Sequence, residues 1–269
     1  MSPNVARLSP PIDVLGLPVR PVDHRALVEA IIARGRARVP TLGCYLNAHT
    51  ANLACADPNY HRVLRQCDLL HADGASIIWA ARLAGSVIYC RVTAMDYFPA
   101  LARRCEEQGL SIFLLGSKPG VLEKAVLGLR NEYPRLRIAG THHGYFDLGA
   151  SDQVILKINS ARADILLVGM SSPRQEFWLR DHEDEIQVPV RWCVGALFDY
   201  LGGAEDRAPA FLRRIGCEWL FRLAMDPAGK WRRYLLGNPR FVWNAFRWLL
   251  ARNEFLASPT IEPAEGALQ

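Results

Sequence analysis

Residues 164–178 read Asp164-Ile-Leu-Leu-Val-Gly-Met-Ser-Ser-Pro-Arg-Gln-Glu-Phe-Trp178 and decide the fold class. The short apolar run 165–168 predicts a strand that is buried on both faces, and Gly169 ends it. A helical segment follows directly, so this stretch forms a strand, a tight turn and the start of a helix. Repeated units of this kind build a parallel sheet covered by helices.

The turn after this strand carries its own signals. Ser171 and Ser172 are candidate N-caps, and Pro173 fits the first helical turn, where Gln175 and Glu176 then fall. Unpaired backbone N–H groups and the helix dipole make such a turn a natural anion site. In a parallel sheet it lies at the carboxyl ends of the strands, where ligands bind. A well-capped turn without a ligand is the alternative.

Working outward, strands and helices alternate along most of the chain. Further strands are predicted at 41–46, 69–70, 111–116, 136–139 and 190–194, with a short edge strand at 12–17. The alternation predicts an α/β body with a mostly parallel sheet and helices on both faces. We expect a disordered N-terminus at 1–11, the catalytic body at 12–204, a helical C-terminal appendage at 205–252 and a disordered tail at 253–269.

Composition excludes several classes of protein. The 269 residues are 50% hydrophobic and 22% charged, which is ordinary for a globular chain. The seven cysteines form no C-x-x-C pair and no metal-ligand spacing, which favours buried reduced thiols and a cytosolic setting. Neither a signal-peptide core nor an apolar run of about 18 residues occurs, so neither secretion nor a membrane span is predicted.

The positive charge is concentrated near the C-terminus. From Arg207 to Arg252 there are ten Lys or Arg against the two acids Glu218 and Asp226, a net charge of +8. Because the whole chain carries +5, the remainder carries −3. Four of the seven tryptophans also fall in this window. The appendage therefore differs from the near-neutral body; an ordinary basic helical pair packed on the body is the alternative to a membrane-binding surface.

Polar or glycine-rich turns follow several predicted strands and should share one rim of the sheet. They contain Asn47, Asp73-Gly74, Gly116-Ser117-Lys118, Gly169 to Gln175, and Asp199. Asp73 follows an apolar pair and precedes a glycine, so it should stand at a strand end. A partly desolvated carboxylate there suits a general base. A helix N-cap before Ala75 is the alternative role.

Several motifs of other enzymes are missing. No G-x-G-x-x-G follows a strand, and no Walker A motif or Asp-x-Asp occurs. His142-His143 lacks a carboxylate or cysteine partner at ligand spacing, so we expect a loop role and no metal site. His49 and His71 flank the predicted rim but have no further support as catalysts.

A series of motifs, in order along the chain, resembles the WecG/TagA/CpsF glycosyltransferase family. In addition to the rim turns, they include Gly169-Met-Ser-Ser-Pro-Arg-Gln-Glu176, Val194-Gly-Ala-Leu-Phe-Asp-Tyr-Leu-Gly-Gly203, Arg207-Ala-Pro209, Glu218-Trp-Leu-Phe-Arg-Leu223 and Arg232-Arg-Tyr234. The likeness runs from about Ile12 to Leu250. It implies a Rossmann-like fold and an inverting enzyme without a cofactor, which moves a sugar from a UDP-sugar to an undecaprenyl-diphosphate-linked saccharide at the inner membrane face. Products of such enzymes include common antigen, teichoic acid linkage units, capsules and exopolysaccharides.

The resemblance also implies roles for single residues. Asp73 matches the proposed catalytic base, and Asn47 matches an asparagine beside the donor sugar. Gln175, in its Pro-x-Gln-Glu motif with Glu176, and Asp199 match positions near the nucleotide sugar. Arg222, Arg232 and Arg233 match a basic appendage that closes over the diphosphate. With these we group Gly74, Gly116, Ser117, Lys118 and Gly169 as substrate-binding residues of the rim.

Two positions depart from the family pattern. Tyr45 stands where members often have threonine, two residues before Asn47, and its bulk should reshape the donor-sugar pocket. After Pro227 many members carry an arginine, whereas this chain has Ala228-Gly229-Lys230. Lys230 is then a candidate stand-in that offers a point charge instead of a bidentate fork.

The expected partners are the UDP-sugar, the lipid-diphosphate acceptor and anionic lipids of the inner membrane. The basic, Trp-rich appendage suits a membrane surface and makes the protein peripheral on the inner face of the plasma membrane. Nucleic acid is not an expected partner, and a homo-oligomer is left open. Two other functions stay as alternatives: a nucleotide-dependent oxidoreductase on the same fold, or a non-enzymatic membrane- or nucleic-acid-binding module.

Overall fold

The computed structural model describes residues 8–257, with the side chains of 253–257 excepted. Eight strands form one sheet in the order β1-β2-β4-β3-β8-β7-β5-β6. The β1–β2 pair is antiparallel and the other pairs are parallel. The strands β1 to β8 are Ile12–Val14, Leu17–Arg20, Thr41–Leu46, Leu69–Ala72, Ser111–Gly116, Arg137–His142, Ile165–Gly169 and Val190–Cys193. The predicted α/β fold is confirmed, except that the expected edge strand is a hairpin.

Helices cover both faces of the sheet. The helices α1 to α13 are His24–Arg36, Ala48–Ala56, Pro58–Gln66, Ala75–Leu83, Ala94–Gln108, Val121–Glu132, Ser151–Ala161, Arg174–Asp181, Leu197–Leu201, Ala210–Arg214, Glu218–Met225, Pro227–Trp231 and Gly237–Ala257. Within residues 8–257, no helix has both the length and the apolar character that crossing a bilayer requires.

Two buried clusters form the core, one on each face of the sheet. Successive strand residues point to opposite faces, and Leu114 and Leu115 of β5 accordingly belong to different clusters. The first cluster takes apolar side chains from α2, α3, α4, α7, α8 and α13. The second takes them from α1, α5, α6 and α9. Each fully buried aliphatic side chain contributes about 1.5–3 kcal/mol.

The strand order opens a crevice between β3 and β8. The helix after β3, α2, packs on the first face, whereas the helix after β8, α9, packs on the second. Two neighbouring parallel strands whose helices leave on opposite sides leave a gap at their carboxyl ends. Ligand sites in open α/β sheets lie at such gaps.

The appendage packs onto the body through α13. Phe241 and Ala245 are buried in the first cluster, at 2% and 0% exposure. The side chain of Asn52, on α2, donates a hydrogen bond of 2.7 Å to the carbonyl oxygen of Gly237 and accepts one of 3.0 Å from Asn244. A π-helical turn at Arg232–Leu236 joins α12 to α13. The appendage therefore shares the core of the body.

The ends of the chain differ in part from expectation. The last helix runs to Ala257, so the predicted boundary of the tail at 253 falls inside this helix. Residues 8–11 form no helix or strand. The rest of the two predicted disordered ends, 1–7 and 258–269, lies outside the described residues.

Candidate active site

A cavity of about 520 Å³ lies at the crevice, between the strand ends and the appendage. Its floor includes Asn47 after β3, Asp73 after β4 and Gly195 after β8. The appendage closes it with Trp219 of α11 and Phe241 of α13. The volume is in the range of ligand sites, which are commonly about 300–1,000 Å³.

Asn47 is held in one orientation by its place at the start of α2. Its side-chain oxygen accepts hydrogen bonds from the backbone N–H groups of His49 (3.0 Å) and Thr50 (3.1 Å), and the Thr50 hydroxyl accepts one from the Asn47 N–H (2.8 Å). This capping box directs the amide nitrogen away from the helix. That nitrogen donates to Asp73 Oδ2 at 3.1 Å.

Asp73 faces the cavity and does not cap α4. The N-cap of that helix is Gly74, which makes no side-chain hydrogen bond, so the alternative role of Asp73 as a helix cap is excluded. Burial raises the pKa of the Asp73 carboxyl to about 7, and Glu218 also raises it. The hydrogen bond from Asn47 and the charges of Arg233 and Arg91 act in the opposite direction. A carboxyl with a pKa near neutrality suits proton transfer.

Three arginines surround the same cavity: Arg91, Arg222 and Arg233. Arg222, on α11, lies with its guanidinium carbon 5.6 Å from the centre of the Tyr200 ring. The Nε atoms of Arg222 and Arg233 are buried and have no hydrogen-bond partner among the described residues. Guanidinium groups form strong, charge-assisted hydrogen bonds with phosphate, so the three arginines that line the cavity suit an anionic ligand there.

Two carboxylates hold the cations in place. Glu205 accepts from Arg222 at 2.7 Å and from Lys230 at 2.9 Å, and all three side chains are mostly buried. Glu218, on α11, pairs with Arg91 of the body at 3.1 Å. The Arg91–Glu218 pair ties α11 to the body, whereas Glu205, at the start of the appendage, links α11 to α12.

Lys230 and Arg232 do not line the cavity. The bond to Glu205 holds Lys230 beside Arg222 instead. Arg232 is exposed with its guanidinium over the Trp231 ring, whereas Arg233 lines the cavity. Adjacent helical residues point in different directions, and only one of this pair faces the site, as expected.

Tyr45 separates Gln175 from the cavity. The Tyr45 hydroxyl accepts a 3.2 Å hydrogen bond from Gln175 Nε2 and lies 3.2 Å from the Ser172 hydroxyl. Gln175 also donates to Glu176 and accepts from the Gly195 N–H, so its amide is fully engaged. Tyr45 lines the cavity, but Gln175 and Glu176 are completely buried behind it. The two motif residues therefore do not line the cavity but hydrogen-bond to residues that do: Tyr45, Ser172 and Gly195.

The expected serine caps of α8 are absent. Helix α8 begins at Arg174, and Pro173 in the cap position makes no side-chain hydrogen bond. The Ser172 hydroxyl instead donates to Glu176 Oε1 at 2.7 Å. Burial raises the pKa of the Glu176 carboxyl, and the hydrogen bonds from Gln175 and Ser172 act in the opposite direction.

The rim residues after β5 lie apart from the cavity. Gly116 adopts φ 152°, and a Cβ there would stand 2.3 Å from the Gly169 carbonyl oxygen, so both glycines serve close packing of two strand ends. Ser117 donates to Asp199 at 2.6 Å, and burial raises the pKa of Asp199. Lys118 is exposed, 6.0 Å from the Tyr145 ring centre. None of these five lines the cavity.

The cavity residues missed by sequence reasoning include Trp79, Arg91 and Glu218. Arg91 interrupts the mostly apolar run 87–94, which is the one local signal it offered. Glu218 lay within a quoted motif without an assigned role. Trp79 falls in a segment read only as a helix. Their convergence depends on contacts between the body and the appendage that no single segment reveals.

The histidines near the rim are neutral at physiological pH. Burial lowers the pKa of both His49 and His71 to about 4. His71 is buried and stacked on Trp192, with ring centres 6.0 Å apart. His142, the last residue of β6, packs against His143 in the loop that follows. Within the described part of the chain, no three His, Cys, Asp or Glu residues cluster as metal ligands.

Comparison with known proteins identifies the family. The chain is 29% identical over 187 residues to the N-acetylglucosaminyldiphosphoundecaprenol N-acetyl-beta-D-mannosaminyltransferase of Staphylococcus aureus (strain MW2), covering 70% of this chain and 71% of that one. It is 29% identical over 189 residues to the protein of the same name from Bacillus spizizenii, covering 70% and 72%. The profile of the glycosyl transferase WecG/TagA/CpsF family matches residues 12–255. The chain therefore belongs to the WecG/TagA/CpsF family of glycosyl transferases.

Proposed function

We propose that the protein transfers a sugar from a UDP-sugar to an undecaprenyl-diphosphate-linked N-acetylglucosamine, in the synthesis of a bacterial cell-envelope polysaccharide. The observation that carries this proposal is the cavity in which Asp73, held by Asn47, lies among Arg91, Arg222 and Arg233. A base and a set of cations in one enclosed space are what transfer from a nucleotide diphosphate needs. The names of the relatives supply the acceptor.

In the proposed reaction, Asp73 takes the proton of an acceptor hydroxyl. The hydroxyl oxygen forms a bond to the anomeric carbon of the donor as the bond from that carbon to the UDP oxygen breaks. Attack from the face opposite UDP inverts the anomeric configuration. The electron pair of the broken bond leaves with UDP, and the proton stays on Asp73 until solvent removes it.

The leaving diphosphate gains negative charge, which the arginines of the cavity neutralise. Arg222 and Arg233 bring guanidinium groups from the appendage, and Arg91 brings one from the body. Charge-assisted hydrogen bonds to phosphate are among the strongest in proteins. Lys230 lies outside the cavity beside Arg222, because both pair with Glu205, and it adds positive charge at this position.

The appendage also docks the protein on the inner face of the plasma membrane. Large apolar side chains on its helices are exposed: Phe211, Ile215, Leu220, Met225, Trp231, Leu235, Leu236, Val242, Trp243, Phe246 and Leu250. Exposed arginines accompany them at 214, 232, 240 and 247. Apolar and basic groups together favour anionic lipid, at about 1 kcal/mol per basic residue near the surface. The acceptor lipid then enters a cavity closed by those same helices.

A transfer assay tests the proposal. The full-length protein is incubated with a panel of UDP-sugars and a water-soluble alkyl diphosphate that carries N-acetylglucosamine. Mass spectrometry detects the added sugar, and NMR of the product gives its anomeric configuration. One donor should give an inverted product with release of UDP. No product from any donor on this acceptor, or a product with retained configuration, would contradict the proposal.

A further inference from the structure

Trp79 presents a large aromatic side chain to the cavity while remaining 43% exposed. It lies on α4, one turn beyond Ala75 and Ser76, which line the same cavity. Tyr97, another cavity residue, is buried, and its hydroxyl accepts a 2.9 Å hydrogen bond from Trp192. Because the Trp79 side chain is partly exposed, in contrast to Tyr97, its indole offers apolar surface to a ligand. Burying that surface would be favourable.

The position of Trp79 relative to Asp73 fits one sugar ring. Asp73 lies two residues before Ala75, the first residue of α4, and Trp79 lies about 6 Å along the helix axis from Ala75. A hexose whose hydroxyl reaches the Asp73 carboxylate thus extends over the first turn of α4 toward the indole. Ser76 stands on that turn and offers a hydroxyl to the rim of the ring.

The chemistry of an indole face suits a pyranose. A pyranose ring carries hydroxyls at its edge and C–H groups on its faces. The negative face of an aromatic ring attracts weakly positive hydrogens, and such contacts add about 0.5–1.5 kcal/mol beyond burial when two aromatic rings meet edge to face. The diphosphate of the donor is drawn instead toward Arg222 and Arg233, which belong to the appendage.

We propose that Trp79 is the platform on which the terminal hexose ring of the acceptor stacks while its hydroxyl reaches Asp73. The proposal rests on the proposed function, because it assigns one wall of the same cavity to the acceptor. It makes Trp79 a determinant of acceptor binding with no part in binding the donor.

Contact with the membrane is the other role that an exposed tryptophan on this helix suggests. Leu83 lies one turn further along α4 and is 52% exposed, but it does not line the cavity. Residues four apart share a helix face, so a membrane role would involve both side chains. Leu83→Ala is therefore the matched control for Trp79→Ala.

The experiment measures binding separately from turnover, with full-length protein and the soluble alkyl diphosphate of N-acetylglucosamine. Calorimetric titration gives the Kd of this acceptor and of UDP, and steady-state kinetics give the KM of each substrate. Trp79→Ala should weaken acceptor binding about tenfold, which corresponds to about 1.4 kcal/mol. Trp79→Phe should recover most of the loss, Leu83→Ala should match wild type, and the Kd of UDP should stay constant in all variants.

Each outcome decides for or against the platform. Equal acceptor Kd values for wild type and Trp79→Ala, or a loss of UDP binding as large as that of the acceptor, would overturn it. If Trp79→Ala and Leu83→Ala both weaken binding of a vesicle-bound acceptor but neither changes the Kd of the soluble acceptor, Trp79 contacts the membrane. That result would also overturn the platform. A Trp79-dependent acceptor Kd without any sugar transfer would support the platform while refuting the proposed function.

Discussion

The amide nitrogen of Asn47 donates to Asp73 Oδ2 at 3.1 Å while the oxygen of the same amide caps α2. One side chain thus starts a helix and stabilises the ionised form of the proposed base. The pKa of Asp73 is about 7, and this hydrogen bond lowers it against the effect of burial. The two functions of Asn47 can be separated by substitution, because serine also caps helices but is too short to replace the amide nitrogen.

We expect the pH dependence of kcat/KM to rise through an apparent pKa of about 7, since Asp73 must be ionised to accept a proton. Asn47→Ser should move this limb to higher pH, because it removes a hydrogen bond that favours the carboxylate. Circular dichroism should show an unchanged fold. A limb that stays in place would mean that another group titrates.

Asp73→Asn should lower turnover by about 10²–10⁴-fold, because the amide keeps the shape of the carboxyl but cannot take a proton. The affinity for the UDP-sugar should change little, since Asp73 contacts the acceptor hydroxyl in the proposed reaction. Single-turnover kinetics and calorimetric titration of UDP measure the two quantities. Near-normal turnover in the folded variant would remove Asp73 from the role of base.

The same substitution should stabilise the protein at alkaline pH. The pKa of Asp73 is raised in the folded state, so folding favours the protonated form and stability is lost as the pH rises from about 4 to above 7. Asp73→Asn carries no charge and escapes this loss. Its melting temperature should exceed that of wild type at pH 8, with a gap that closes near pH 4. A constant gap across that range would contradict the raised pKa.

Arg232 and Arg233 should differ in their effects although they are neighbours. Arg233 lines the cavity, so Arg233→Ala should lower turnover on a soluble acceptor by roughly 10²-fold, as expected for one lost charge-stabilising donor. Arg232 is exposed, so Arg232→Ala should leave that turnover unchanged and weaken binding to anionic vesicles about fivefold. Vesicle co-sedimentation and the soluble assay measure both. Equal effects on turnover would refute the division of roles.

Activity should survive EDTA, because arginines and backbone groups supply the positive charge in the proposed reaction. The transfer assay is run after dialysis against the chelator, then repeated with added magnesium or manganese. Loss of activity that either metal restores would show that a cation takes part.

The fold was largely predictable from sequence because central strands such as β3, β5 and β7 are local apolar runs ended by a polar or glycine-rich turn. The same local logic found Asp73 and Asn47, which follow β4 and β3 directly. Contacts between distant segments escaped it. Gln175 was expected near the nucleotide sugar, yet Tyr45, 130 positions away, separates it from the cavity. Local spacing carries no information about such a partner.

The appendage shows the same limit in another way. Its charge and tryptophans were visible in the sequence, but the burial of Phe241 was not, because the site it fills is formed by α2. Arg91 was overlooked for a similar reason. Its partner Glu218 lies 127 positions later, and neither residue alone indicates a cavity.

Helix α13 joins two environments along its length. Phe241 and Ala245 fasten one side of it into the core, while Trp243 and Phe246 project from the other. In the proposed membrane-bound state, this rigid rod sets the height of the cavity above the lipid headgroups. The distance from the bilayer surface to Asp73 is then fixed by the fold. This distance determines how long a lipid-linked glycan must be for its terminal sugar to reach Asp73.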